Sequence, residues 1–114
     1  VDVVHGHSSH HPMEIEIHRD RLILYGCGDL LNDYEGIRGH QSYRPDLAFA
    51  YLPAIHPDGT LQSLTLLPFR IRKLQLQPCN PEERAWLLRR ANRDLEPGNL
   101  RFNETDAGTF VLQR

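Results

Sequence analysis

Helical periodicity is confined to one segment of this chain, and this limits the possible fold more than any other feature. Between Pro81 and Leu95, apolar residues recur at helical spacing on one side and arginines lie mainly on the other. Asn80 suits the N-cap position, and Glu83, three residues later, completes a capping box. The dipeptide Pro97-Gly98 then stops the helix. We therefore predict one amphipathic helix near the C-terminal end.

Outside that segment the chain reads as short strands separated by turn residues. Strict alternation at 14–18 is typical of a half-buried strand, whereas 21–25 is apolar on both faces, as in a strand inside a sheet. Arg19-Asp20 joins these two as a tight turn, and Asp58-Gly59 is a hairpin signal. The predicted strand segments are 1–4, 14–18, 21–25, 47–55, 61–67, 71–77, 100–103 and 109–113. Together they predict an α+β fold of mostly antiparallel β hairpins with one C-terminal helix.

Several details of the strand pattern carry separate expectations. Pro53 interrupts its strand region and Pro68 bends or ends another, because proline cannot donate a ladder hydrogen bond. In the segment 71–77, Ile71 is out of phase with the other apolar residues. The run at 1–4 is β-branched at three of its four positions, which predicts the end of a buried strand.

Length and charge set further bounds. The chain has 114 residues and a formal net charge of -2, which suits a single globular domain covering residues 1–114. Its lysines and arginines are spread along the sequence, which argues against a nucleic-acid or anionic-membrane partner. No apolar run approaches the ~20 residues of a membrane-spanning helix. The sequence starts without Met, as if a strand were already under way, so we expect the true N-terminus upstream of Val1.

The two cysteines, Cys27 and Cys79, lie far apart in the sequence. Their spacing fits neither a disulfide framework nor a zinc ribbon. We expect two free, semi-buried thiols, since unpaired cysteine behaves as a small apolar residue.

The segment 5–11 carries the most distinctive chemistry, because it holds four histidines within seven positions. Neutral imidazole is a good ligand for Zn, Mn, Fe or Ni. Gly6 would let the backbone turn sharply, so that a loop leaving a strand end aims two rings at one point. The alternative is a set of solvated or turn-capping histidines. For His18, His40 and His56 the solvated interpretation is the better one.

Four short elements follow one another in this part of the chain. They are Gly6-His7-Ser8-Ser9-His10, Ile15-Glu16-Ile17, Leu22-Ile23-Leu24-Tyr25 and Gly28-Asp29. In order and spacing they resemble CapA-like proteins of poly-γ-glutamate capsule synthesis, in which a Gly-His-x-x-His element precedes a hairpin and a Gly-Asn or Gly-Asp turn. The Pro-x-x-Ile-Arg strand at 68–72, the late helix and the last hairpin also look like the C-terminal part of that family.

The resemblance implies a fold and a metal centre. CapA-like proteins resemble calcineurin-like metallophosphoesterases, in which two sheets form an αββα sandwich and metal ligands lie on loops at the strand ends. The chain would be the C-terminal portion of such a domain. Carried over by motif, His7 and His10 are implied as catalytic metal ligands, and His5 as an additional one, for a divalent Mn, Fe or Zn ion.

The resemblance also implies roles for residues beyond the histidine loop. Asp29 stands where many relatives carry Asn, and it is the third catalytic candidate, either orienting a histidine or binding metal; capping the turn is its other interpretation. Asn32 and Asp33 would line the same cleft. Tyr43 and Arg44 would contact an anionic substrate, with solvated loop residues as the alternative.

The family's earlier motifs, which supply acidic and Asn/His ligands, are absent, so the chain alone is expected to be inactive. The leading hypothesis is a fragment of a CapA-like metal-dependent phosphoesterase-type protein. The alternatives are a non-catalytic binding or assembly module of the same fold, or a small metal-binding domain for storage or sensing. An incomplete sandwich leaves a sheet face uncovered, which predicts self-association or pairing with the missing N-terminal part.

Overall fold

The structure is a computed structural model that describes residues 1–6, 12–28, 46–72, 75–93, 95 and 97–113. These residues form strands in two sheets and one helix, which confirms the α+β class. In chain order the elements are β1 (Val3–His5), β2 (Ile15–His18), β3 (Arg21–Leu24), β4 (Leu47–Ile55), β5 (Leu61–Arg72), β6 (Gln75–Pro78), α1 (Pro81–Arg93), β7 (Arg101–Glu104) and β8 (Phe110–Gln113).

The smaller sheet has the strand order β1-β3-β2. Strands β2 and β3 form the expected hairpin, in which His18 pairs with Arg21 across a two-residue turn. Both turn residues, Arg19 and Asp20, have positive φ (51° and 61°), the geometry that matches the twist of the flanking strands. Strand β1 runs parallel to β3, so β3 is the central strand, as its apolar sequence predicts.

The larger sheet has the order β4-β5-β8-β7, and β6 pairs with β5 in addition. Every strand pair in it is antiparallel. Gly59 and Gly108 adopt positive φ (92° and 79°) in the turns that close its β4–β5 and β7–β8 hairpins. The hairpin predicted from Asp58-Gly59 and the last hairpin, predicted from the segments 100–103 and 109–113, are both confirmed.

Strand β4 continues through Pro53 and β5 through Pro68, so the expected interruption at Pro53 and the expected strand end at Pro68 are wrong. Pro53 is tolerated because β4 is an edge strand with one partner, β5. Pro68 lies where the second neighbour of β5 changes from β8, which pairs at Thr65 and Leu66, to β6, which pairs from Phe69 onward. A missing N–H therefore costs little at either position.

The predicted strand at 71–77 is also wrong. Ile71 belongs to the end of β5, while Gln75 begins β6, and the two strands pair with each other. Ile71 lies directly opposite Leu76. The change in the apolar alternation at Ile71 therefore reflects the boundary between two strands and not an irregularity within one strand.

Helix α1 begins as its capping sequence predicts. The Asn80 side-chain oxygen accepts a hydrogen bond from the backbone N–H of Glu83 (2.8 Å), and the Glu83 carboxylate accepts one from the N–H of Asn80 (2.9 Å). The same carboxylate is buried and lies 3.6 Å from the Arg70 guanidinium of β5. The helix ends at Arg93, before the predicted Leu95. At 13 residues and rich in arginine, this helix of the described chain lacks the length and hydropathy of a membrane span.

One hydrophobic core joins the two sheets and the helix. The smaller sheet contributes Ile15, Ile17, Leu22 and Leu24, the larger sheet Leu47, Phe49, Leu61, Leu64, Leu66, Phe102, Phe110 and Leu112, and the helix and its flanks Cys79, Leu87, Ala91 and Leu95. Phe49 and Phe110 meet edge to face with ring centroids 5.9 Å apart. Two hydrogen bonds also tie the sheets together, from Leu61 N–H to the Asp20 carbonyl (2.6 Å) and from the Arg21 guanidinium to the Asp58 carbonyl (3.0 Å).

Strand β1 departs from its prediction as a buried strand. All three of its residues are exposed, Val3 at 37% and Val4 at 47%. The reason is its position at the edge of the smaller sheet, where β3 is its neighbour on one side. A β-branched apolar run fits the inside of a sheet as well as an edge, and the sequence alone does not separate the two.

The turn at Gly59 yields the first prediction. We expect Gly59→Ala to lower the free energy of unfolding by about 1–3 kcal/mol, since the residue has positive φ. An added Cβ would also collide with the Asp2 carboxylate. The double variant Gly59→Ala with Asp2→Ala should regain only the part of the lost free energy of unfolding that is due to that collision. Urea unfolding followed by fluorescence measures both effects.

Gly98→Ala is the matched control for this substitution. It adds the same methyl group where no atom lies within 4 Å of the new Cβ. It should not destabilise, because replacing glycine at a permissive position mainly restricts the unfolded chain. Equal losses at Gly59 and Gly98 would contradict the interpretation.

Candidate metal centre

The segment that holds the predicted metal ligands starts at the end of β1. Strand β1 ends at His5 and the parallel strand β3 ends at Leu24, and these two residues pair in register. The Gly6 N–H donates a hydrogen bond of 2.7 Å to the Leu24 carbonyl. Because the carboxyl ends of parallel strands share one edge of a sheet, the chain leaves β1 beside the end of β3.

The same segment returns to that edge at its other end. Pro12 forms an isolated antiparallel bridge with Cys27, and the Met13 N–H donates to the Gly26 carbonyl (2.8 Å). One residue further, the backbone carbonyl of Glu14 accepts a hydrogen bond from the Tyr25 N–H (3.2 Å). The residues that flank the stretch 7–11 are thus attached to the end of β3 and to the short segment that follows it.

Gly6 is required at its position for a steric reason. A Cβ on this residue would collide with the backbone carbonyl of Tyr25. The expected role was a sharp backbone turn, but the positive-φ glycines are Gly28, Gly59 and Gly108. Gly6 instead allows two backbone segments to lie in direct contact.

After β3 the chain leaves the same edge of the sheet through Gly28, whose positive φ of 76° turns the backbone. The end of β3 at Leu24 agrees with the predicted strand segment 21–25 to within one residue. The Tyr51 hydroxyl of β4 donates a hydrogen bond to the Cys27 carbonyl (3.3 Å) and so ties this turn to the larger sheet. Burial raises the pKa of Tyr51, which therefore stays a neutral donor.

His5 is the predicted site residue that falls within the described part of the chain. It is exposed, and its Nδ1 lies 3.4 Å from the Gly6 carbonyl oxygen. The other candidates lie outside the described residues, so their roles stay predictions: His7, His10, Asp29, Asn32, Asp33, Tyr43 and Arg44. Within residues 1–6, 12–28, 46–72, 75–93, 95 and 97–113, no group of three or more His, Cys, Asp or Glu side chains converges to hold a metal ion.

Two of the remaining histidines are described and are exposed, in agreement with their expected solvated state. His18 lies on the polar face of β2, with its Nδ1 3.6 Å from the Glu16 carboxylate. His56 precedes the β4–β5 turn. His40 lies outside the described residues.

Tyr25 is a residue at this edge that sequence reasoning missed. Its hydroxyl donates a 2.6 Å hydrogen bond to the Glu16 carboxylate, and this bond raises the pKa of the phenol. The ring is 47% exposed and lies one residue beyond β3, beside the backbone of Gly6. The available signal was the hairpin pattern, which places Glu16 and Tyr25 on the same outward face of two paired strands.

Both cysteines are free, as predicted. Cys27 is half-buried at the base of the histidine loop, and burial raises the pKa of its thiol. Cys79 is buried before helix α1, where burial and the Glu83 carboxylate raise its pKa to about 12.

Comparison with known proteins supports the resemblance seen in the first part of the sequence. Residues 1–34 match the family model described as bacterial capsule synthesis protein PGA_cap. This stretch contains the Gly6–His10 element, the β2–β3 hairpin and the Gly28-Asp29 turn on which the resemblance depends. Residues 1–34 are thus similar to the PGA_cap family. The resemblance to capsule synthesis proteins is thereby confirmed.

Similarity to known proteins extends over more residues than the family model matches. The chain is similar to two proteins of Mycobacterium tuberculosis, from strains CDC 1551 / Oshkosh and H37Rv, each described as a probable polyglutamine synthesis accessory protein. Identity to each is 51% over 88 residues, which cover 76% of this chain and 23% of the relative. The chain thus spans about a quarter of the length of these curated relatives.

The contact between Gly6 and Tyr25 yields a prediction about this edge. We expect Gly6→Ala to cost about 1–3 kcal/mol in the free energy of unfolding, because its methyl group must push apart the ends of β1 and β3. Urea titration measures the loss, again with Gly98→Ala as the control. An unchanged midpoint would show that β1 is not held against β3 in solution.

The two thiols supply an independent probe of the same region. At pH 8, below both raised pKa values, we expect a thiol reagent to modify Cys27 before Cys79, because the thiolate is the reactive form and Cys79 is 7% exposed. In denaturant the two should react at similar rates. Faster labelling of Cys79 in the native protein would be inconsistent with its position in the core.

Proposed function

We propose that this chain is the C-terminal segment of a capsule-polymer synthesis protein with a metal-dependent phosphoesterase-type centre, and that its histidine loop forms one side of that centre. His7 and His10 would be the main ligands, and His5 an additional one. The PGA_cap match over residues 1–34 supports the capsule assignment. The metal-dependent phosphoesterase-type activity goes beyond that match and is the part that we add.

One observation carries this proposal most directly. Gly6 and Pro12, which flank the stretch 7–11, and Gly28, which precedes Asp29, all lie at the edge where parallel strands β1 and β3 end. These described anchor points at one edge support the proposal of a common site for the histidines and Asp29.

The residue types at this edge fit a divalent transition metal. Imidazole nitrogens and a carboxylate are the donors that Zn, Mn and Fe accept, and histidines on a strand-end loop leave open positions for water or substrate. A bound ion would supply Lewis-acid polarisation of a phosphoryl oxygen and a more acidic water. Asp29 would orient a histidine ring or bind the ion, and Asn32, Asp33, Tyr43 and Arg44 would face the substrate.

A complete centre needs ligands beyond this chain, because two or three histidines rarely fix a catalytic ion alone. The M. tuberculosis relatives are about four times longer than the stretch they share with this chain, which leaves ample sequence for acidic ligands. In the proposed αββα arrangement, the exposed edge of β1 would pair with a strand from the remainder of the protein, or with a second copy. Activity is therefore expected of the longer protein only.

The ligand assignment can be tested on this chain without any activity assay. Titration with Zn²⁺ or Mn²⁺ followed by calorimetry should show one site. His7→Ala and His10→Ala should each weaken it by at least the ~10–100-fold that loss of an outer-shell partner costs. His56→Ala is the matched control, since His56 is exposed before the distant β4–β5 turn and should leave affinity unchanged.

The catalytic part is tested separately on the longer protein. Phosphatase activity that disappears in both His7→Ala and His10→Ala, but persists in His56→Ala, would support the proposal. Stoichiometric metal with no phosphatase activity would instead favour storage or sensing. Absence of any metal binding would leave the chain as a non-catalytic module of the same family.

A further inference from the structure

The outward side of helix α1 carries a set of residues that the proposed metal centre does not use. Glu82, Ala85, Trp86 and Arg89 follow one another at i, i+3, i+4 and i+7, which places them on one side of the helix. The buried residues of α1 lie on the opposite side. All four outward residues line a surface cavity of about 480 Å³. Glu82, Ala85 and Arg89 are exposed, and Trp86 is half-buried. We call these four residues the α1 outer face.

The two charges of the α1 outer face have no partner within the helix. Side chains three or four positions apart can meet on a helix, whereas Glu82 and Arg89 are seven positions and about 10 Å apart along the axis. Among the described residues, neither of them forms a salt bridge. The helix dipole favours an acid in the first turn, which gives Glu82 a local role, but Arg89 precedes the last turn. Both charges are therefore available to a partner.

The order of residues on the α1 outer face is complementary to itself. Suppose that a second α1 packs antiparallel to the first, across a two-fold axis between Ala85 and Trp86. Glu82 then lies opposite Arg89 of the second copy, and Ala85 lies opposite its Trp86. Each of these contacts occurs twice, as in any isologous interface. The methyl side chain of Ala85 leaves room for the indole at the ~8–10 Å separation of packed helix axes.

Trp86 suits the centre of such an interface. Part of its side chain packs against the hydrophobic core, so the ring is anchored, while the rest lines the cavity on the α1 outer face. Tryptophan is among the residues most enriched where binding energy is concentrated, near the centre of an interface. An anchored ring also loses little conformational entropy when a partner covers it.

We propose that the α1 outer face binds a second copy of this chain, so that two α1 helices form an antiparallel pair across a two-fold axis. The interface involves neither the histidine loop nor the edge of β1, and the inference is independent of metal binding. A helix of 13 residues is about 20 Å long, so the pair buries less than the ~1,600 Å² of a standard interface. We therefore expect a reversible dimer whose population rises with concentration.

Charge reversal followed by mixing tests this interface, with sedimentation equilibrium as the measurement. In the Glu82→Arg dimer all four facing charges would be positive, and in the Arg89→Glu dimer all four would be negative. Each variant alone should therefore dimerise at least about tenfold more weakly than the parent chain, because like charges repel across the interface. An equimolar mixture of the two should regain association, since a positive face then meets a negative one.

Two further variants separate the contact from net charge. Arg72→Glu is the matched control, because it makes the same change of charge on an exposed arginine at the end of β5. Its dimer affinity should stay within about twofold of the parent chain, since exposed charges outside the interface act weakly. Ala85→Gln leaves the charge unchanged but fills the space over Ala85, and should weaken the dimer at least about tenfold. Circular dichroism and urea midpoints should show that these variants fold, since every substituted residue is exposed.

Trp86 supplies a second readout, because it is the single tryptophan of the chain. Its emission should shift to shorter wavelength as the parent chain dimerises and water leaves the ring. The inference is overturned if the parent chain stays monomeric at the highest concentration at which it is soluble, or if mixing the two charge-reversed variants restores nothing. Dimerisation that persists in both reversed variants, or that leaves the emission unchanged, would place the contact on another surface such as the edge of β1.

Discussion

Strand β3 is the element on which both the core and the candidate site depend. Its inward residues, Leu22 and Leu24, are buried in the shared core. Its backbone pairs with β2 on one side and with β1 on the other. The carbonyl of its last residue, Leu24, accepts a hydrogen bond from Gly6, and the segment beyond its end accepts hydrogen bonds from Met13 and Tyr51. Hydrophobic burial thus fixes the strand, and the fixed strand end determines where the polar loops begin. The proposed metal site therefore depends on the burial of Leu22 and Leu24, which holds the end of β3 in place.

Local sequence signals predicted much of the fold. The Asn80–Glu83 capping box, the Arg19-Asp20 turn and the glycines of the two larger hairpins all specify backbone geometry within a few residues, and each is confirmed. Such signals succeed because the responsible interactions lie within one turn or hairpin. The failures at Pro53 and Pro68 have the opposite origin. Whether a missing N–H matters depends on which strand lies alongside, and that is decided by distant parts of the chain.

The candidate site could be predicted only as a set of residue types in a family-like order. The Gly-His-x-x-His element predicted the family, and the PGA_cap match over residues 1–34 confirms it. The steric need for Gly6 was not predictable from the sequence, because it arises from the Tyr25 carbonyl on a strand paired in parallel.

The parallel pairing of β1 with β3 has a consequence for the order in which this molecule forms. The hairpins β2–β3, β4–β5 and β7–β8 close through short turns, whereas Val3 must find Leu22 across an intervening hairpin. Contacts between residues far apart in sequence form late, since the entropy of closing the intervening chain must be overcome first. An exposed edge strand is also among the first elements to separate in local opening. Strand β1 can therefore add to β3 only after the β2–β3 hairpin has closed, and a metal ion or a neighbouring chain segment bound at this edge would stabilise the completed sheet.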